Sequence, residues 1–231
     1  MSRLGKAVAV DWRSGKDQIY FFFTPYGLYS RFSLAENKVP EIYPLDVSGN
    51  WDTFHDAYYL RFGFTTTGFD TERVDGDILW LFHYGEDRVT PYVTKYDQDY
   101  ECCISTVPVQ ESRWHQLVPY FDLIVTGTWW QTRPGRAHLF RFLMDNGNAL
   151  TLDFGYGTLV EEAINDQTWP GLAKYQDRIM TGAQNDRTFA DSYWYLFLDK
   201  DEYIRYNIQE NRLQSGPMPI NDETWPGLLP G

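Results

Sequence analysis

The chain has 231 residues, 43% of them hydrophobic and 18% aromatic, with 9 Trp, 17 Tyr and 15 Phe. Thirty-two acidic against 20 basic residues leave a formal charge of −12, which argues against nucleic acid and anionic membrane as partners because phosphate binding needs clustered Lys and Arg. The length suits one large all-β domain, and the aromatic load suits packed strands.

The first segment opens MSRLGKAVAVDWRSG, an apolar stretch broken at Ser14-Gly15. It has no long apolar core before a small-residue cleavage site, and no later stretch reaches membrane-spanning length, so a soluble, cytoplasmic protein is expected. IYFFF and LYSRFSL follow as β-rich runs, and Pro25-Tyr26-Gly27 between them supplies a turn. A proline-containing passage leads to Trp51. Segment two reads HDAYYLRFGF, a polar connection TTTGFDTERVDGD, and then DILWLFHYGEDRVTPYVTKYD. Asp97-Gln98-Asp99 after that run reads as a solvated turn. The adjacent Cys102 and Cys103 predict two thiols, since neighbours rarely form an unstrained disulfide.

Segment three begins FDLIVTGTWWQ and turns at Thr132-Arg133-Pro134-Gly135. Asp145-Asn146-Gly147-Asn148 marks a hairpin, because Asn and Gly accept the positive φ of tight turns. LVEEAI, rich in helix formers, predicts a short helix ahead of Trp169. Segment four repeats the plan with QDRIMTGAQN, then SYWYLFLDKDEYIRYNI around a tip at Asp199-Lys200-Asp201, then RLQSGPMPINDETWPGL.

Thr168-Trp169-Pro170-Gly171-Leu172 returns as Thr224-Trp225-Pro226-Gly227-Leu228, 225 − 169 = 56 residues later, within INDQTWPGL and INDETWPGL. Trp114 lies 169 − 114 = 55 residues before the first copy and Trp51 a further 114 − 51 = 63. Four tryptophans therefore close four segments, approximately 5–54, 55–117, 118–172 and 173–231. No such unit buries both faces of its sheet alone, so the four must pack together as an array.

With these features the chain resembles hemopexin-type repeats, most closely over segment four and the tail of segment three, and is similar to the single-domain seed albumins and related microbial and fungal proteins of that fold. Trp51-Asp52-Thr53-Phe54 and Trp114-His115-Gln116-Leu117 depart from the pattern by lacking Pro-Gly. The resemblance implies an all-β, four-bladed β-propeller with short helices at the blade ends. It also implies calcium, sodium or chloride in the central channel, held by backbone carbonyls at Asp56, Asp122 and Asp177, with Ala9 the nearest counterpart in segment one. A hard cation wants six or more oxygens, which four inward carbonyls and waters would supply.

No enzyme signature is visible: no Gly-x-Ser-x-Gly, no His-Glu-x-x-His and no phosphate loop. His55, His83, His115 and His138 are scattered singly. Trp129 and Trp130 are adjacent on a strand and point to opposite faces, so either both are buried between blades or one stands in a groove, where it would stack on a sugar ring or cap a cation. The expected function is a non-catalytic, lectin-like or small-ligand-binding protein, with a role in defence compatible. The alternatives are a storage or stress protein binding polyamine or haem, and a protein-interaction platform. A small molecule or glycan is the expected partner, and a homodimer is allowed.

Overall fold

The computed structural model describes residues 4–15, 17–52, 54, 59–131, 138–185 and 192–229. Sixteen strands among them form four antiparallel four-stranded sheets, each continuous in sequence. Blade 1 holds β1 (Ala7–Trp12), β2 (Gln18–Phe23), β3 (Leu28–Ser33) and β4 (Leu45–Asp46). Blade 2 holds β5 (Leu60–Thr67), β6 (Asp77–Tyr84), β7 (Pro91–Asp97) and β8 (Cys102–Pro108). Blade 3 holds β9 (Ile124–Trp129), β10 (Leu139–Met144), β11 (Asn148–Asp153) and β12 (Thr158–Ala163). Blade 4 holds β13 (Ile179–Gln184), β14 (Tyr193–Leu198), β15 (Glu202–Asn207) and β16 (Arg212–Pro219). The first strand of each blade contacts the first strands of both neighbours, closing a ring in the order β1, β5, β9, β13. The fold is a four-bladed β-propeller.

The inner strands are buried almost end to end, and the blades slope away to outer strands such as β12 whose side chains mostly meet water. LVEEA lies in β12, with Ile164 just beyond it, rather than in a helix. Its helix formers sit on an edge strand whose backbone pairs with β11 from Asn148↔Ala163 to Asp153↔Thr158, and that pairing overrides a weak local preference. Short 3-10 helices instead lie at the blade junctions, at Val109–Glu111, His115–Tyr120 and Ala173–Arg178.

The two copies of the repeated motif build the same turn with the same hydrogen bonds. In the first, Thr168 Oγ1 donates to Ala163 O (2.6 Å), while the N–H groups of Gln167 and Thr168 donate to Asn165 Oδ1 (2.8 and 3.1 Å). In the second, Thr224 Oγ1 donates to Pro219 O (2.6 Å), and the N–H groups of Glu223 and Thr224 donate to Asn221 Oδ1 (3.0 and 3.1 Å). This is the competition for backbone groups that makes Asn and Thr good turn residues. The proline carbonyl then reaches the next blade: Pro170 O accepts from Leu213 N (3.0 Å) on β16, and Pro226 O from Val39 N (3.1 Å) in blade 1. The motif is therefore a clasp between blades, and its second copy closes the ring.

The clasp glycines carry unequal loads. Gly171 and Gly227 both have positive φ, +82° and +77°, which favours glycine at each. A Cβ on Gly171 would stand 2.8 Å from Leu213 Cβ, whereas one on Gly227 would stand 3.4 Å from Val39 Cβ. Gly171→Ala is expected to cost about 2–3 kcal/mol and Gly227→Ala about 1 kcal/mol. Urea unfolding of the two variants checks the order.

Each tryptophan of the repeat is a wedge between two blades. Trp51 packs on Tyr20, Phe22 and Tyr29 of blade 1 and on Tyr96 of blade 2. Trp114 joins Phe64, Trp80 and Phe82 to Phe140. Trp169 joins Trp130 to Trp194 and Tyr206, and Trp225 joins Phe197 and Tyr203 to Phe21 and Phe32. Wedge-shaped blades meeting at a narrow axis leave a gap that widens outward, and an indole is the largest side chain that fills it.

Candidate functional site

Around the axis the inner strands are stitched by polar side chains. Ala9 N–H donates to Thr181 Oγ1 (2.8 Å), Thr126 Oγ1 to Gly182 O (3.1 Å) and Thr128 Oγ1 to Gln184 Oε1 (2.8 Å). Where the inner strands of blades 1 and 2 end, Asp11 lies buried, accepting from Arg13 Nε (2.9 Å) and Thr65 N–H (2.9 Å). Burial pushes its carboxyl above the usual range, against the pull of the Arg13 guanidinium and the Thr65 N–H. Gln98 completes the group: its Oε1 accepts from Arg13 N (2.8 Å) and its Nε2 donates to Thr65 Oγ1 (2.7 Å) and Asp11 O (3.3 Å). The Arg13 guanidinium lies 5.3 Å from the Trp129 ring centre, so one cluster ties blades 1, 2 and 3. Gln98 is thus a buried axial residue and not part of a solvated turn. Asp97 beside it is buried too and paired with Arg73 (2.7 Å).

The four expected channel positions are not equivalent in the fold. Ala9 is buried mid-strand in β1, a place filled by Gly63, Gly127 and Gly182 in the other inner strands. Asp122 and Asp177 precede those glycines by 127 − 122 = 5 and 182 − 177 = 5 residues and are exposed. The Asp122 carbonyl accepts from Arg61 Nη2 (2.8 Å) and its carboxylate accepts from the Tyr84 hydroxyl. Asp56 and His55 lie outside the described residues, as does the 132–135 turn. Among the described residues no three His, Cys, Asp or Glu side chains gather to hold a metal.

Trp129 and Trp130 are both buried, Trp129 toward blade 2 and Trp130 against Trp169 and Trp194, so neither is an exposed platform. His83 is fully buried with Nε2 2.9 Å from Thr94 Oγ1, and His115 and His138 are exposed and apart. The Cys102 thiol is pushed up by burial and by the nearby Asp97 and Asp52 carboxylates, which keeps it from being a thiolate at neutral pH.

Two cavities open at the groove sides of the tryptophan wedges. One, of about 280 Å³, lies at the junction of blades 1 and 2. Trp12, Tyr20, Tyr29, Trp51 and Tyr96 make its wall, and Arg31, Tyr43, Asn50 and Glu101 its rim. Alternation along β2 and β3 places Tyr20 and Arg31 directly opposite each other. Tyr20 and Tyr29 stack at 5.9 Å, Trp51 stands edge-on to both, and Trp12 packs 5.0 Å from Tyr20. The Arg31 guanidinium hydrogen-bonds Tyr20 and covers the Tyr43 ring at 5.4 Å. Burial pushes the Tyr20 and Tyr96 phenols up to about 12 and raises Tyr29 further, so all three keep their protons across the physiological range. Tyr96 OH donates to Glu101 O (2.7 Å), and Glu101 holds a positive φ of 52° that turns it to the rim. Sequence reasoning missed this pocket. Its available signal was the aromatic face of the β2–β3 hairpin, with Tyr20 and Phe22 at alternate positions and Tyr29 opposite Phe22.

No protein-family model matches the sequence, and no curated protein matches it. Among solved structures, a luciferin-regenerating enzyme is similar with 9% identity and a TM-score of 0.37, over 94% of this chain and 78% of that one. A likeness of that size transfers no activity. The propeller fold supports a binding or interaction role, and no helix among the described residues is long and apolar enough to cross a membrane.

Proposed function

We propose that the protein is a non-catalytic binding propeller that takes a small, neutral, hydroxyl-rich ligand, of the size of one sugar ring, in the pocket between blades 1 and 2. The observation that carries this reading is the pairing of an aromatic wall with a polar rim in one cavity. Arg31, Asn50, Glu101 and the protonated phenols supply donors and acceptors for the ligand's hydroxyls, and the closely packed Trp12, Tyr20, Tyr29 and Trp51 rings give the cavity a rigid floor. At about 280 Å³ the cavity lies just below the range of drug-sized sites, roughly 300–1,000 Å³. That favours a single ring over haem. Arg31 already occupies the face of Tyr43, which disfavours a polyamine in the same place despite the acidic balance of the chain.

Non-catalysis is part of the proposal. The hydroxyl–imidazole pair Thr94–His83 is sealed, with 1% and 0% exposure, so no substrate reaches it. A ligand of about 12 heavy atoms at about 0.3 kcal/mol each gives roughly 4 kcal/mol, a millimolar Kd. Calorimetric titration with a panel of methyl glycosides is expected to find one that binds at about that strength, and Arg31→Ala is expected to weaken it about tenfold while unfolding normally. Equal binding by Arg31→Ala, or no binder in the panel, refutes the assignment.

A further inference from the structure

The second cavity, of about 470 Å³, lies between blades 2 and 3 and is lined by Phe69, Asp70, Arg113, His138 and Phe154 with Gly68 and Gly155. Its chemistry differs from the first. Phe69 and Phe154 meet at 5.6 Å to form an aromatic floor, seated on the wedge Trp114. The Arg113 guanidinium covers both rings, 4.6 Å from the centre of Phe69 and 5.6 Å from that of Phe154. Its Nη2 lies 2.8 Å from Asp70 Oδ1. The other oxygen of Asp70 is held by Lys95 Nζ at 2.9 Å. Two cations therefore share one carboxylate, and the group carries a net positive charge in a chain of formal charge −12. Asp153, the carboxylate beside the glycine wall, is turned into its own loop, where it accepts the N–H groups of Gly155 (2.8 Å) and Tyr156 (3.2 Å). His138 completes the wall, its ring 5.9 Å from Phe69.

We infer that this cavity is a second, independent binding site, for a small aromatic carboxylate. The carboxylate of such a ligand would pair with the Arg113 guanidinium, whose planar fork suits a carboxylate, and its ring would lie against the exposed His138 ring and the half-buried Phe154. The stack on two phenylalanines orients Arg113 without consuming its hydrogen bonds, so the fork is prepared before a ligand arrives. Asp70 then acts as an internal competitor that occupies part of the guanidinium. This site shares no lining residue with the pocket between blades 1 and 2.

The internal competitor makes the inference testable in both directions. Asp70 has a positive φ of 56°, which asparagine adopts as readily as aspartate, so Asp70→Asn removes the charge without a backbone penalty. Benzoate is the probe, titrated calorimetrically into the full chain at low salt, with benzyl alcohol and acetate as controls. The expected result is a Kd of roughly millimolar order for benzoate, at least about tenfold weaker binding of either control, and several-fold tighter benzoate binding by Asp70→Asn. Arg113→Gln is expected to weaken benzoate about tenfold or more while melting close to the parent protein, and Arg31→Ala to leave it unchanged. No measurable benzoate binding, binding of benzyl alcohol or acetate as tight as benzoate, or an Asp70→Asn variant that binds no more tightly would overturn the inference. Saturating methyl glycoside is expected to leave the benzoate titration unaltered, so failure at either pocket is read separately from the other.

Discussion

Trp114→Ala is expected to destabilise the protein by about 3–5 kcal/mol, the range seen when a large buried aromatic is truncated. Trp114 is fully buried and touches rings from both blades 2 and 3, including Phe64, Trp80, Phe82 and Phe140. Truncation removes the wedge from a closed ring, where neighbouring blades cannot slide together to refill the gap without disturbing the other three junctions. Trp114→Phe is expected to recover much of the loss. The Trp114 Nε1–H is buried with no hydrogen-bond partner among the described residues, so the change deletes an unsatisfied donor along with part of the ring. Trp169 differs because its Nε1–H donates to Glu162 Oε1 (3.2 Å), and Trp169→Phe is expected to cost more than Trp114→Phe. Chemical unfolding monitored by circular dichroism checks both the size and the order. A cost below about 1 kcal/mol for Trp114→Ala would show that the wedge does not hold the ring.

Asp11→Ala is expected to cost about 3–5 kcal/mol, because it strands the Arg13 charge in the interior and removes the acceptor of the Thr65 N–H. Their side chains are 1% and 6% exposed, so water does not replace the lost partner. The pair is itself worth less than the damage from breaking it, because burying both charges costs much of what their attraction returns. Asp11→Asn combined with Arg13→Gln is expected to be more stable than the sum of the single changes, with a coupling of about 1–3 kcal/mol. Unfolding the two single variants and the double variant gives that number directly. Additive costs would mean that Asp11 and Arg13 act separately.

The blade plan was legible in the chain because the clasp is local chemistry. Asn, Thr, Trp, Pro and Gly stand in a fixed order, and the Asn and Thr side chains make their bonds within a few residues, so the repeat of INDQTWPGL as INDETWPGL announces two identical turns. Trp51 and Trp114 lack the Pro-Gly yet fill the equivalent gaps at the other two junctions, so tryptophan spacing alone located them. LVEEAI misled for the opposite reason. Its residues prefer helix in isolation, but strand pairing with β11 is a contact that the local sequence does not contain.

The axis and the pockets were less legible because their residues meet only after closure. Gln98 bonds Arg13 and Thr65 from 85 and 33 residues away, and no periodicity marks a lone glutamine between two aspartates as buried. Ala9 lies within β1 while Asp122 and Asp177 stand just before β9 and β13, a difference of place that the sequence pattern does not mark. Adjacency on a strand leaves Trp129 and Trp130 either both buried or one in a groove, and both indoles are buried. The aromatic surfaces that do reach cavities are distributed over β1, β2, β3, β7 and the connections between them, and only the fold brings them together.

The account turns on the pocket between blades 1 and 2, and indole N–H resonances report on it directly. The Trp12 Nε1–H donates to Ser14 O (3.1 Å) beside that wall, and Trp51 packs against it, while Trp114, Trp169 and Trp225 lie at other junctions. Two-dimensional nitrogen–proton spectra recorded during titration with the binding methyl glycoside, with each indole assigned by a Trp→Phe substitution, separate these positions. The predicted result is movement of the Trp12 and Trp51 signals with the others still. Binding that shifts only indoles of other junctions, or none, would contradict the assignment of the ligand to this pocket.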